Sequence, residues 1–263
     1  MLKLEHSRLL QKRCGVSHFF STIEGGVGGG TYATFNLGAY CGDDPQTVAA
    51  NRRILCDELG LRPDHLVVPH EVHGDGICRI DSSYFEMNEE GRATFLNSCD
   101  ALVTTMPDVC LAVTTADCVP VLLCDIEKTV VMAVHAGWRG VVNGIVPKAM
   151  GMMVSEYGVP LSSVCAVTGP CISAAAYEVS RELVDTFSSL FSKEQMMLVA
   201  RATDTSFFLD LRRAVELQFI DAGIDRKNIG IHPGCTYSQA DRYFSARRQG
   251  LNSGRLLSGI KLG

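Results

Sequence analysis

The chain has 263 residues, of which 46% are hydrophobic and 20% charged, and its formal net charge is −5. This is the composition of a compact globular protein with volume for a real core, not of a disordered chain. Mild acidity gives no support to general nucleic-acid binding, which leaves a basic footprint, and no apolar run approaches a membrane span.

At the N-terminus, MLKLEHSRLLQKRCG is broken by charged or polar residues every few positions, unlike the apolar stretch of a secretory signal. A cytoplasmic protein is expected. Its eleven cysteines are then expected as reduced thiols, some in the core and one or two metal-bound or reactive, rather than as a disulfide scaffold. A strand is expected at 17–22. The glycine run at Gly25–Gly30 lacks the Lys-Ser/Thr of a P-loop and a GxGxxG-then-helix context, so it reads as a flexible loop. A helix is expected over 45–59, with Asp44 as N-cap, Pro45 at the first helical position and Val48, Ile54, Leu55 and Leu59 along one stripe. Strands follow at 65–70, 101–105, 110–115, 119–125, 129–135, 164–168 and 230–232. Further helices are expected over 142–157, over 183–191 with Ser180 as cap, and over 209–222 with Asp210 near its start. The short gaps between neighbouring strands imply antiparallel pairing. No repeat or Pro/Ser-rich linker divides the chain, so the expectation is one continuous domain over 1–263. Its fold class is α+β, with mixed, largely antiparallel sheets flanked by helices.

Four segments could carry chemistry. In TVVMAVHAGWRGVVNG a buried strand ends at His135, and Gly137, the only Trp, Arg139 and Gly140 lead into a helix. Small residues there let backbone amides approach a ligand, and Arg139 offers a bidentate anion donor; the bland alternative is a tight turn with a solvated arginine. In TTADCVPVLL, Asp117 and Cys118 sit between apolar runs. Cys118 could be a metal thiolate, a nucleophile or a small core residue. VVPHEVHGDGI holds His70 and His73. Its β-like surroundings would point residues three apart to opposite faces, so one histidine, not both, could join a given site. With Cys118 and His135 that histidine would make an N/N/S set with an open tetrahedral position, as a catalytic zinc requires. In CTYSQADRYFSARRQGLNSGR, Arg247, Arg248 and Arg255 cluster near Tyr243 and Phe244, as an anion- or base-contacting edge or as a solvated strand end.

Together these segments resemble one family. FSTIEGGVGGGTYATFNLG, DDPQTVAANR, EVHGDGI, DALVT, TADCVPVLL, VHAGWRG, GPCISAAAYEVS and CTYSQADRYFSARRQGLNSGR occur in the order seen in YfiH-like laccase-domain proteins, from Ser17 to about Leu262. The resemblance implies a metal site of His73, Cys118 and His135, with zinc expected ahead of copper. His6, His18, His65, His70 and His232 then become structural. Two positions depart from the family pattern: Glu71 stands where Gln is common, and Ile23 where Arg is common after the FST run.

The resemblance also implies phosphorolysis of adenosine, inosine or methylthioadenosine and deamination of adenosine. Purine nucleoside and phosphate are the expected partners, with neither nucleic acid nor membrane. Asp117, Cys118 and Arg139 are the expected catalytic residues, Asp117 orienting a ligand histidine or moving a proton. Asn36, Arg139, Arg247 and Arg248 are the expected substrate contacts, the arginines attracting phosphate. Two other enzyme classes stand beside this one, with a non-enzymatic binding module as the remaining alternative. A Cys-His hydrolase editing peptidoglycan precursors would use Cys118 as nucleophile and His135 as base. A copper-dependent polyphenol oxidase would need several His-rich sites, whereas the seven histidines here are scattered.

Overall fold

The structure, a computed structural model, describes residues 2–263. In chain order its strands are β1 (Leu4–Glu5), β2 (Ser17–Ser21), β3 (Leu66–Val67), β4 (Ile77–Arg79), β5 (Ala101–Thr104), β6 (Cys110–Thr115), β7 (Val119–Asp125), β8 (Val131–Ala136), β9 (Val164–Thr168), β10 (Glu178–Val179), β11 (Ala200–Ala202), β12 (Phe207–Leu209), β13 (Ile229–Gly230) and β14 (Leu256–Lys261). The helices are α1 (Arg8–Arg13), α2 (Pro45–Leu59), α3 (Ser82–Glu86), α4 (Glu89–Leu96), α5 (Trp138–Val142), α6 (Ile145–Tyr157), α7 (Arg181–Ser188), α8 (Lys193–Val199), α9 (Leu211–Ala222) and α10 (Ala246–Gln249).

The strands form a five-stranded sheet in the order β1-β2-β14-β6-β3, a six-stranded sheet β13-β9-β7-β8-β5-β4, and a small sheet β10-β12-β11. Pairing is antiparallel except for β3 with β6, β4 with β5 and β13 with β9. This is the mixed, largely antiparallel α+β architecture that the strand spacing implies. The apolar runs explain the layering. β5, β7, β8 and β9 are buried along their whole length, which requires cover on both faces. One face of the six-stranded sheet packs Val121, Leu123, Met132 and Val134 against α5, α6 and α9. The other packs Leu102, Leu122, Val131 and Val167 against Phe20, Leu111, Val113 and Ile260 of the five-stranded sheet. Beyond that sheet, α2 covers Phe19, Ala112 and Leu257 with Leu55 and Cys56. No helix among the described residues is long and apolar enough to cross a membrane.

Capping follows the sequence closely. The Asp44 side chain accepts from the backbone N–H of Gln46 and Thr47, Ser180 from Leu183, and Asp210 from Arg213. The expected helix over 142–157 is instead two helices, because Gly144 takes a left-handed φ of 78° between α5 and α6. The expected strand at 65–70 shrinks to Leu66–Val67, ahead of Pro69. The glycine run is ordered rather than loose. Gly28 N–H donates to Thr34 O and Val27 N–H to Asn51 Oδ1, and a Cβ on Gly26 would lie 2.2 Å from Thr34 O. Cys78 and Cys99 stand as a disulfide pair, the one pair among the described residues, with the other nine described cysteines free.

Candidate metal centre

The centre lies where the chain changes sheets. β6 belongs to the five-stranded sheet and β7 to the six-stranded one, and Ala116, Asp117 and Cys118 alone connect them. Asp117 makes the crossing with a left-handed φ of 98°. Its carboxylate fastens the turn, Oδ1 accepting from Thr236 Oγ1 at 2.7 Å and Oδ2 from Arg247 N–H at 2.7 Å. Cys118 follows. In the β7–β8 ladder Pro120 stands opposite His135, and the residue two positions before Pro120 shares its face. The register thus brings the Cys118 thiol beside the His135 ring.

On the other side of β8, the β5 register continues to Asp100. His135 N–H donates to the Asp100 carbonyl at 2.7 Å, and His135 Nδ1 donates to Asp100 Oδ1 at 2.8 Å. The carboxylate can only accept here, so it leaves Nε2 as the ring's free nitrogen. The fully buried Asp100 also accepts from the N–H groups of Val72, His73 and Gly74, at 3.2, 2.9 and 2.8 Å. The turn carrying His73, whose φ is 63°, is therefore folded onto the same carboxylate that orients His135. Orienting a histidine, expected of Asp117, is done by Asp100. Sequence reasoning passed over Asp100 at the head of DALVT, although a carboxylate opening a fully buried strand was the available signal.

The potential ligand atoms of His73, Cys118 and His135 lie within 4.8 Å of one another, the one such cluster of three or more His, Cys, Asp or Glu groups among the described residues. Gly137 makes room for them: a Cβ there would stand 2.9 Å from His73 Cδ2 and 3.2 Å from Cys118 Sγ. Burial alone would raise the Cys118 thiol, but the charge and hydrogen bonds of His135 and His73 outweigh it and bring the thiol down to about 6. Burial opposes the charging of His135, and Cys118 and Asp100 together raise it. Two imidazoles and a ready thiolate are a donor set that a transition metal such as zinc can occupy.

These groups floor a cavity of about 190 Å³ whose wall includes Glu71, Tyr40, His70, Leu251 and Arg255. Burial pushes the Glu71 carboxyl up, against the charge of His135, and its oxygens accept from Thr114 N–H at 2.6 Å and Thr114 Oγ1 at 2.9 Å. The residue that departs from the family's usual Gln therefore faces the centre. Ile23, the other departure, packs against a cluster of Ala116, Tyr243, Phe244 and Leu256, and Ala116 lines the cavity.

A second, more open groove of about 620 Å³ is walled by Trp138, Tyr177, Glu178 and Arg247. It adjoins the centre through Tyr177, whose hydroxyl is pushed up to about 12 by burial and by the nearby Cys118 charge. Arg139 is exposed and lies over Trp138, 4.3 Å from its ring centroid; Arg247 lies 5.3 Å over Tyr177 and donates to the Glu178 carbonyl. The C-terminal arginines thus separate. Arg247 faces this groove and Arg255 the metal cavity. Arg248 is brought to neither, because its guanidinium donates to the carbonyls of Thr236, Tyr237 and Tyr243. Asn36 is likewise not brought to the cavity. It is fully buried, and its amide binds Asp43, Gly38 and Arg255 N–H. Of the remaining histidines, His18 bonds Val16 O, His65 bonds Asp108 O, and His232 pairs with Glu5.

A family model described as multi-copper polyphenol oxidoreductase laccase matches residues 17–263. A purine nucleoside phosphorylase of Bacteroides thetaiotaomicron is 35% identical over 253 residues, covering 96% of this chain and 94% of that protein. Adenosine deaminase RL5, from an unknown prokaryotic organism, is 34% identical over 261 residues, 99% of each chain. The crystal structure of YlmD from Geobacillus stearothermophilus matches with a TM-score of 0.88 and 30% identity, over 95% of this chain and 93% of that one.

Proposed function

The chain belongs to the multi-copper polyphenol oxidoreductase laccase family, and from that membership together with the metal centre we propose that it is a zinc enzyme of purine nucleosides. It catalyses phosphorolysis of adenosine, inosine or methylthioadenosine, and deamination of adenosine. The observation that carries this reading is the His73–Cys118–His135 cluster at the floor of an open cavity. Zinc held by these three groups would keep a position for water or substrate. The names of the matched phosphorylase and deaminase support the substrate class.

Zinc held by the three side chains would polarise a substrate oxygen or ready a water molecule for attack. Asp100 holds His135 in the tautomer that presents Nε2. Glu71, whose carboxyl burial raises, stands where a proton must be held or moved near the centre. Arg247 lines the adjoining groove over Tyr177, and together with the exposed Arg139 over Trp138 it offers guanidinium groups that would attract phosphate. The working unit is the whole of residues 1–263, since the cavity draws on residues as far apart as Gly38 and Arg255.

The test is incubation of metal-quantified protein with adenosine, with and without phosphate, products being identified by mass spectrometry and His73→Ala serving as control. Adenine and ribose 1-phosphate should form only with phosphate and only with the intact cluster, and inosine should report deamination. No product from folded, zinc-loaded protein would refute the reading.

One observation favours a second reading. A thiol near 6 beside a raised histidine is also the signature of a cysteine nucleophile with its base. Alkylation separates the two. In chelator-treated protein Cys118 is expected to react with iodoacetamide from about pH 6 upward, the charge lying on the thiolate above that value and lost below it. An ordinary thiol needs a pH near about 8.5. Zinc loading should slow the reaction at least about tenfold, because a metal thiolate has given its lone pair to the ion. Peptide mapping must resolve Cys118 from Cys235, whose thiol the hydrogen bonds of Ser173 and Ser238 bring to about 7 against the effect of burial. Equal alkylation of Cys118 with and without zinc would favour the hydrolase. Phenol oxidation with reduction of oxygen calls for more than one copper site, and no second cluster of three ligands occurs among the described residues.

A further inference from the structure

The cavity over the metal centre is small. At about 190 Å³ it falls below the roughly 300–1,000 Å³ usual for pockets that enclose a drug-sized ligand. In phosphorolysis, a nucleoside whose C1′ reaches the centre must therefore leave its base at the mouth. Three side chains meet there. Tyr40 is 65% exposed and Leu251 79% exposed, although both line the cavity. The Tyr40 ring is stacked on His70 at 3.8 Å between centroids and 26° between planes.

This arrangement is held, not loose. His70 Nδ1 bonds Asn97 Oδ1 at 2.9 Å, and its backbone is tied to Leu96 and Ser98. The turn bearing Tyr40 is fixed on both sides: Gly38 N–H donates to Asn36 Oδ1, and Tyr32 Oη donates to the Cys41 carbonyl. Leu251 is fastened by its carbonyl, which accepts from Arg255 Nη2 at 3.0 Å. With one face of Tyr40 occupied by His70, the rest of the side chain is exposed at the cavity that both residues line. An anchored aromatic face of this kind binds a heterocyclic base by stacking, whatever its edge pattern.

We propose that Tyr40, backed by His70 and accompanied by Leu251, is the platform on which the purine base stacks during phosphorolysis while the sugar occupies the metal cavity. The proposal rests on the nucleoside reading above. It assigns Asn36 a positioning role, since that buried amide shapes the turn that presents Tyr40.

Phosphorolysis exchanges the bond from the sugar C1′ to the base nitrogen for one to a phosphate oxygen, and it runs in both directions. The reverse reaction separates the base from the sugar. In Tyr40→Ala, the KM for adenine is expected to rise about tenfold or more, while the KM for ribose 1-phosphate stays within about twofold and kcat changes far less than the KM for adenine. Tyr40→Phe should restore the wild-type KM, since stacking needs the ring and not the hydroxyl. Thermal melting of each variant controls for folding, which an exposed ring should not disturb. Equal rises in both KM values, or no rise in either, overturn the platform while leaving the nucleoside reading intact. A rise for adenine in Trp138→Ala with none in Tyr40→Ala moves the base to the neighbouring groove and equally overturns it. A wild-type protein with no turnover in either direction removes both.

Discussion

Replacing Asp100 by asparagine is expected to weaken zinc binding about 10- to 100-fold and to destabilise the fold by about 2–4 kcal/mol. The carboxylate is fully buried and accepts four hydrogen bonds, from His135 Nδ1 and from three consecutive backbone N–H groups of the turn at 72–74. Asparagine keeps the shape but only one acceptor oxygen. If its NH₂ takes the place of Oδ2, the N–H groups of Val72 and Gly74 lose a charged acceptor, at about 1–2 kcal/mol each. If the NH₂ faces His135, the ring must accept at Nδ1, and its proton moves to Nε2, the atom that would meet the metal. Either orientation damages the centre, the first by loosening the turn on both sides of His73 and the second through the His73 N–H, which also donates to Oδ1, and the tautomer of His135. Chelator competition measures the affinity and urea unfolding of the metal-free protein measures the stability. A destabilised variant that binds zinc as tightly as wild type would show that Asp100 serves the fold alone.

How much of this was readable in advance depends on whether a feature is written in neighbouring residues or in register. β6, β7 and β9 have the bounds expected of them because an almost wholly buried run between turn residues announces itself. α2 is equally legible, from Asp44 and Pro45 at its start to its expected last residue, Leu59. The strands β10, β11 and β12 have two or three residues each, too few to show any period. β14 escaped for another reason. Its LLSGIK sequence carries a glycine in mid-strand, which reads as a break, yet Gly259 is there because a Cβ would lie 2.6 Å from the Phe19 ring across the ladder.

The same division runs through the site. His73, Cys118 and His135 came forward from motif resemblance, while local pattern could say only that one of the two histidines at 70 and 73 belongs to any one site. The physical premise was imperfect: the segment is a left-handed turn at His73 rather than a strand. What separates the two histidines is Asp100, which captures the turn around His73, and Tyr40, which takes the His70 ring. Neither partner lies within twenty residues of both. Arg248 and Asn36 show the converse error. A cationic or amide side chain in a motif looks like a ligand contact, but only the fold reveals that carbonyls already occupy the guanidinium of Arg248 and a carboxylate and backbone groups the amide of Asn36. Asp117 belongs with them, its carboxylate spent on Thr236 and Arg247 at the place where the chain passes between sheets.

The turn after β8, which faces that crossing, gives the smallest change with a large expected effect. Gly137 has an ordinary extended backbone, φ −73° and ψ 167°, so alanine brings no conformational strain. Its methyl carbon, however, would stand 2.9 Å from His73 Cδ2 and 3.2 Å from Cys118 Sγ, inside the roughly 3.5–4.0 Å at which carbon atoms rest. The backbone of His73 is tied to Asp100, so the imidazole must turn away about its own side-chain torsions. Tetrahedral zinc tolerates displacements of only about 0.2 Å in its ligand distances. Gly137→Ala is therefore expected to lower zinc affinity at least about tenfold, with turnover falling in step, while unfolding of the metal-free protein shifts by less than about 1 kcal/mol. Isothermal titration with zinc and a urea melt of the apoprotein measure the two terms separately. Unchanged zinc affinity in a folded Gly137→Ala protein would mean that the ligand rings close on the metal from another direction than the one this cluster presents.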